Sequence, residues 1–119
     1  MTSIGIDIIE IERVETAINR WGEHFLKRIY TESELTICHN RTLSLASRFA
    51  AKEAIMKVLG TGGRGIAWRE IEILTDDNGK PLVKLYGKAL NKATELNLKE
   101  FSISLSDSKQ HAVAVAIGV

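Results

Sequence analysis

The sequence predicts an α+β domain in which a mainly antiparallel sheet is built around one long central helix. Three observations carry that expectation. From Ser44 to Leu59 the residues keep helical spacing, with apolar side chains pointing nearly all round the axis, as in a helix enclosed by protein. Ile4, Ile6 and Ile8 near the start, and Phe101, Ile103 and Leu105 near the end, recur at the two-residue period of strands. Between two short apolar segments, Asp76-Asp77-Asn78-Gly79 signals a hairpin. The order is strand, two or three helices, two strands, helix, two strands, without the βαβ alternation of a parallel sheet.

The first strand runs from Ile4 to Ile9 with an isoleucine face. Asp7 lies on the opposite face, where neither β-propensity nor burial favours an acid, and Gly5 leaves room beside it for a close approach. From Ile11 the period becomes helical through Val14, Ala17 and Ile18, with Arg13 and Arg20 on the other side. Gly22 interrupts, then Phe25, Leu26 and Ile29 resume the spacing beside Lys27 and Arg28. Thr31-Glu32-Ser33-Glu34 matches a capping box, whose hydroxyl and carboxylate satisfy the orphan amides of a helix reaching about Cys38. The long helix starts near Ser44 and stops at Gly60, a residue suited to the left-handed position after a helix, and 61–65 reads as a flexible loop.

Ile71 and Ile73 begin the hairpin, and Pro81 to Tyr86 returns, the proline standing where its missing N–H does least harm. Leu90, Ala93 and Leu96 mark a short helix ending at Asn97. Phe101 to Leu105 is a half-buried strand, Asp107 to Gln110 a turn, and His111 to Val119 a final strand. That last strand has Ala112, Ala114 and Ala116 on one face and Val113, Val115 and Ile117 on the other. Both faces are apolar, so the expectation is cover on both sides, with the alanine face packed against another subunit.

A chain of 119 residues supports one domain, 1–119, with its own core. Its 45% hydrophobic and 26% charged content is that of an ordinary globular protein. Sixteen basic residues against fifteen acidic ones give a net charge of +1, which excludes a global field for nucleic acid or an anionic membrane and leaves only local anion recognition. No apolar run approaches a membrane span of about 18 residues, and the N-terminus lacks the pattern of a signal peptide. One cysteine, Cys38, allows no internal disulfide, which agrees with a reducing cytoplasm.

Four charges interrupt the long helix in two stripes, Arg48 with Lys52 and Glu53 with Lys57, roughly 140° apart around the axis. Glu53 and Lys57 have two readings: a surface ion pair worth about 0.2–0.5 kcal/mol, or a metal ligand with a cation facing an anionic substrate. Gly60, Gly62 and Gly65 fit the dinucleotide glycine spacing, but they close a helix instead of opening one, so the fingerprint fails and the other reading is a mobile loop near a phosphate-binding site. Cys38 beside His39 is not the spatial pairing of an activated thiolate, and His24, His39 and His111 have no zinc spacing. Asp7 and Glu53 remain, two carboxylates in apolar settings that call for a counter-charge. Together they suit Mg²⁺, which takes oxygen ligands and is often held by one or two carboxylates plus substrate phosphates, with Lys57 one turn further on near the phosphate.

Gly5-Ile6-Asp7-Ile8 and Phe49-Ala50-Ala51-Lys52-Glu53-Ala54, followed by Lys57, resemble the paired signature of the bacterial holo-acyl-carrier-protein synthases, the short type of 4′-phosphopantetheinyl transferase. The likeness extends through Gly60-Thr61-Gly62, Asn78-Gly79-Lys80-Pro81 and Ser102 to Val119. It implies transfer of the phosphopantetheine arm of coenzyme A to a serine of apo acyl carrier protein in fatty acid biosynthesis, releasing adenosine 3′,5′-bisphosphate. It further implies Mg²⁺ on Asp7 and Glu53, Lys57 assisting the leaving phosphate, and the serine proton passing to Glu53 or to a water beside the metal. Arg48, Lys80-Pro81 and Ser104 are implied coenzyme A contacts, with Lys52 on the Arg48 stripe facing the same ligand or a neighbouring subunit. Arg13, with Arg20, Lys27 and Arg28 as further candidates, is implied in docking the acidic carrier. The implied assembly is a trimer with active sites at subunit interfaces. One position departs from the pattern: after Ser104-Leu105-Ser106 many relatives have histidine where this chain has Asp107, which cannot donate to a phosphate as imidazolium does. A competing reading is a non-catalytic oligomeric module that binds a nucleotide or an acidic protein through the same basic and glycine-rich features.

Overall fold

The structure, a computed structural model, describes residues 2–60 and 64–119. Met1 and 61–63 lie outside it, and with them most of the expected flexible loop and the Thr61-Gly62 part of the resemblance. Strand β1 (Ser3–Glu10) leads into helices α1 (Ile11–Trp21), α2 (Glu23–Ile29), α3 (Glu32–Cys38) and α4 (Thr42–Leu59). After a 3₁₀ turn at Trp68–Glu70 come β2 (Ile71–Thr75), β3 (Pro81–Leu85), α5 (Gly87–Glu95), β4 (Phe101–Asp107) and β5 (His111–Gly118). The fold is α+β and both sheets are antiparallel: a three-stranded sheet ordered β1-β5-β4, and a separate β2-β3 hairpin. No helix among the described residues is long and apolar enough to cross a membrane.

Local signals account for most boundaries. The Thr31 hydroxyl accepts from the Glu34 amide while the Glu34 carboxylate accepts from the Thr31 amide, the reciprocal capping box. Gly22 at φ 56° separates α1 from α2, and Gly60 at φ 71° ends α4 in the left-handed conformation that a Cβ disfavours. The Asp76 carboxylate accepts from the amides of Asn78 and Lys80 and closes the hairpin turn. Two helices begin before the expected positions. α4 starts at Thr42, where the Arg41 carbonyl already accepts from the Leu45 amide. α5 starts at Gly87, and one of its first amides, that of Lys88, donates to the Glu70 carboxylate across the sequence.

α4 lies on the three-stranded sheet, and the alanines decide how closely. Ala50, Ala51 and Ala54 on the helix and Ala114 and Ala116 on β5 share one buried core, and Ala112 is equally buried. This corrects the expectation for the last strand: its alanine face packs on the chain's own helix, because side chains this small let helix and sheet backbones approach. The face left uncovered is the opposite one. There Ile4, Ile6 and Ile8 are 58–67% exposed, and their partners across the ladder are Ile117, Val115 and Val113. Gly5, on the inner face of β1, lets the strand backbone come close to that of α4: a Cβ there would collide with the Ala54 carbonyl oxygen and lie 3.0 Å from the Lys57 Cβ.

A second correction concerns Lys52. It does not face a ligand or neighbour but is fully buried, donating to Glu34 Oε1 at 2.7 Å and to the carbonyls of Ile71 at 2.6 Å and Trp68 at 3.1 Å. Burial pushes its pKa down, and the adjoining Glu34 carboxylate opposes that shift. Glu34 Oε2 accepts from the Ile73 amide at 2.8 Å, so α3, α4 and β2 meet at one ion pair.

Gly5→Ala should lower the unfolding free energy by about 1–3 kcal/mol through overpacking against α4. Equilibrium denaturation checks this; a variant as stable as the parent would show that the two elements can separate freely.

Candidate active site

The approach of α4 at Gly5 fixes what lies next to it. Asp7, two residues on, shares the inner face of β1 and meets the stripe of α4 that carries Glu53 and Lys57. Lys57 Nζ donates to the Ile6 carbonyl at 2.7 Å and pairs with Asp7 Oδ1 at 3.4 Å, so it bridges to the strand and is no mere surface partner of Glu53. Its ammonium remains half exposed.

Asp7 and Glu53 line one cleft of about 350 Å³ with Arg13, Val14, Ala17, Phe25 and Phe49. Burial pushes the Glu53 carboxyl above the usual range and the Asp7 charge pushes it further, while Lys57 and Arg13 offset part of the rise. Two carboxylates held together in a half-buried cleft form a place where a hard cation would relieve repulsion. Among the described residues no three His, Cys, Asp or Glu side chains gather as a metal cage. A cation here would therefore take its remaining ligands from water or a bound ligand's oxygens, a habit of Mg²⁺ and not of structural zinc. The residues fit the ion. Burial pushes the Cys38 thiol up, and it is wholly enclosed, which excludes it as a nucleophile.

A second cleft, also about 350 Å³, gathers Arg48, Thr75, Gly79, Lys80, Pro81, Ile103, Ser104 and Leu105. Four residues expected to contact one ligand, Arg48, Lys80, Pro81 and Ser104, thus converge from α4, the hairpin and β4. Arg48 is 7% exposed and already donates through Nε to the Ile73 carbonyl at 3.1 Å and through Nη2 to Thr75 Oγ1 at 2.8 Å. Its guanidinium is therefore presented rigidly. The two clefts share no residue, as the separation of the α4 stripes requires.

Of the three arginines expected to dock a partner, Arg13 lies in the first cleft, whereas Arg20 and Arg28 lie outside both. Arg20 stacks over the exposed Trp21 ring, 5.5 Å from its centroid, and Arg28 stands exposed in the last turn of α2. Asp107 is exposed at the end of β4, opposite Ala112, and lines neither cleft. Sequence reasoning missed Thr75 and the apolar walls Val14, Phe25 and Phe49, because a hydrophobic cleft wall has the same periodicity as a core.

The family described as the 4′-phosphopantetheinyl transferase superfamily matches residues 3–116. Proteins named holo-[acyl-carrier-protein] synthase are similar over nearly the whole chain. That of Herpetosiphon aurantiacus is 45% identical, covering 100% of this chain and 99% of the relative. One from Dehalococcoides mccartyi is 50% identical over 98% of each. The crystal structure of the Helicobacter pylori synthase in complex with coenzyme A superposes with a TM-score of 0.87 at 33% identity, covering 98% of this chain and 99% of that one. The Neisseria meningitidis synthase gives 0.88 at 37% identity, covering 98% and 97%.

Because folding raises the Glu53 pKa, this group's contribution to stability is greatest at low pH and is lost as pH rises through that raised value. Glu53→Gln should therefore melt at a higher temperature than the parent near neutral pH without divalent cation. Mg²⁺ should raise the melting temperature of the parent and not of the variant. Equal Mg²⁺ responses by scanning calorimetry would remove Glu53 as a ligand.

Proposed function

The chain belongs to the 4′-phosphopantetheinyl transferase superfamily, and from that premise we propose that it is a holo-acyl-carrier-protein synthase. It transfers the 4′-phosphopantetheine of coenzyme A to a serine of apo acyl carrier protein, yielding holo carrier and adenosine 3′,5′-bisphosphate, in fatty acid biosynthesis and in the cytoplasm. The family match over residues 3–116 supports one transferase domain across 1–119. The observation that carries the chemistry is the meeting of Asp7 and Glu53 in a cleft edged by the Lys57 ammonium.

Asp7 and Glu53 would hold Mg²⁺, which when bound neutralises charge on the pyrophosphate. The serine oxygen forms a bond to the β-phosphorus while the bridging P–O bond breaks, and the bisphosphate leaves with the bonding pair. Lys57, half exposed and fixed to β1, offers its ammonium to the charge that develops on the departing phosphate. Glu53, in the same cleft as Asp7, is a carboxylate placed to accept the serine proton, directly or through a water. Arg13 at the rim, with Arg20 and Arg28 on the exposed side of the helices, supplies local positive charge for an acidic carrier. Arg48, Lys80, Pro81 and Ser104, which line one cleft, bind coenzyme A. Because the two clefts lie on different sides of α4, one coenzyme A would draw on neighbouring subunits. The protein assembles as a trimer, and the uncovered isoleucine face of β1 supports association between copies.

With coenzyme A, Mg²⁺ and an apo carrier, the protein should make the carrier heavier by one phosphopantetheine, as read by mass spectrometry; no shift across several carriers overturns the proposal. A saturable coenzyme A complex without turnover would instead favour a binding module. Glu53→Gln should lower turnover by about 10²-fold or more. In the parent, activity should fall as acidification protonates Glu53, at a higher pH than for an ordinary carboxylate, and added Mg²⁺ should move that fall to lower pH, since ion and proton compete.

A further inference from the structure

The β2-β3 hairpin is not part of the three-stranded sheet, yet it forms one wall of the second cleft through Thr75, Gly79, Lys80 and Pro81. Ile71 and Ile73 of β2 share the apolar core with α4, and charged side chains along the outer edge of β2 add directional contacts to that packing. The Ile73 amide donates to Glu34 Oε2 at 2.8 Å, the Ile73 carbonyl accepts from Arg48 Nε at 3.1 Å, and the Ile71 carbonyl accepts from Lys52 Nζ at 2.6 Å. These side chains take the place of a missing neighbour strand. Glu34 and Arg48 grip the two polar groups of one residue, so a shift of Glu34 moves Ile73 and carries Arg48 and Thr75 with it. The Lys52–Glu34 pair beneath them is wholly buried and lines neither cleft.

We propose that the buried Lys52–Glu34 pair is a positioning element for coenzyme A, setting the gap between the hairpin and α4 in which Arg48, Lys80, Pro81 and Ser104 converge. The inference rests on reading the second cleft as the coenzyme A site. Lys52 and Glu34 act through Ile71 and Ile73 and touch no substrate. Their loss widens the coenzyme A cleft and leaves the Asp7–Glu53–Lys57 face of the helix in place.

The test is steady-state kinetics of Lys52→Met and Glu34→Gln, beside Leu98→Ala as a control for general destabilisation. Leu98 is buried in the core near Gly118 and lines neither cleft. The pair variants should raise KM for coenzyme A about tenfold or more, with kcat at saturating coenzyme A within about threefold of the parent and KM for the carrier unchanged. Leu98→Ala should leave KM for coenzyme A where it was. An unchanged KM in the pair variants, an equal rise in Leu98→Ala, or a loss confined to kcat overturns the proposal. If neither pair variant folds, the Ile73 amide of the parent is followed by hydrogen exchange: coenzyme A should slow it, and no change overturns the proposal. Absence of transferase activity in the parent would fell the function itself, an outcome distinct from all of these.

Discussion

The structure depends on how near α4 comes to the sheet. Gly5 on β1 and the alanines of α4 and β5 remove the side-chain bulk that ordinarily separates a helix from a strand. The backbones then meet, and Asp7 and Glu53, which lie far apart in the chain, enter one cleft. Apolar burial supplies the driving force on the alanine side, and the same contact half-buries Glu53 beside the Asp7 charge, which together push the Glu53 carboxyl above the usual range. A cation or proton at Glu53 would offset that burial and charge, and Lys57, paired with Asp7, offsets only part of it.

At the hairpin a second kind of interaction is added to the apolar core that Ile71 and Ile73 share with α4. β2 has β3 on one side and no strand on the other, so its outer backbone groups would be left without partners in a buried setting. Charged side chains from α3 and α4 complete it, and the buried ammonium of Lys52 is tolerable only because a carboxylate and two carbonyls surround it. Nearby, Glu72 accepts from the Thr31 hydroxyl and from Tyr86, which joins the second strand face to the capping box of α3. This polar layer carries directional contacts where the alanine layer carries none. Each side chain has a fixed partner, which suits a wall that must stand at a set distance from Arg48.

α4 is therefore shared by two structures with different requirements. Its Glu53 stripe faces the carboxylate cleft, its Arg48–Lys52 stripe faces the hairpin, and alanines fill the space between. A helix buried nearly all round by necessity has no strong apolar side, which is why its charges carried more information than its hydrophobic pattern.

The sequence alone determined the α+β class, the capping box at Thr31 and Glu34, the hairpin at Asp76 to Gly79, and the pairing of Asp7 with Glu53 as candidates. Each rests on local spacing or on an acid out of place, and both are visible along the chain. Local spacing could not tell which apolar face of β5 turns inward, because alanine and valine faces are both hydrophobic and only the proximity of α4 distinguishes them. Nor could it show that Lys52 is enclosed while Lys57, on the same helix, stays half exposed, since the partner of the first comes from α3 and of the second from β1. Burial and partner choice are properties of elements brought together in space, so the residue types named the chemistry and the tertiary structure decided which charges were free to perform it.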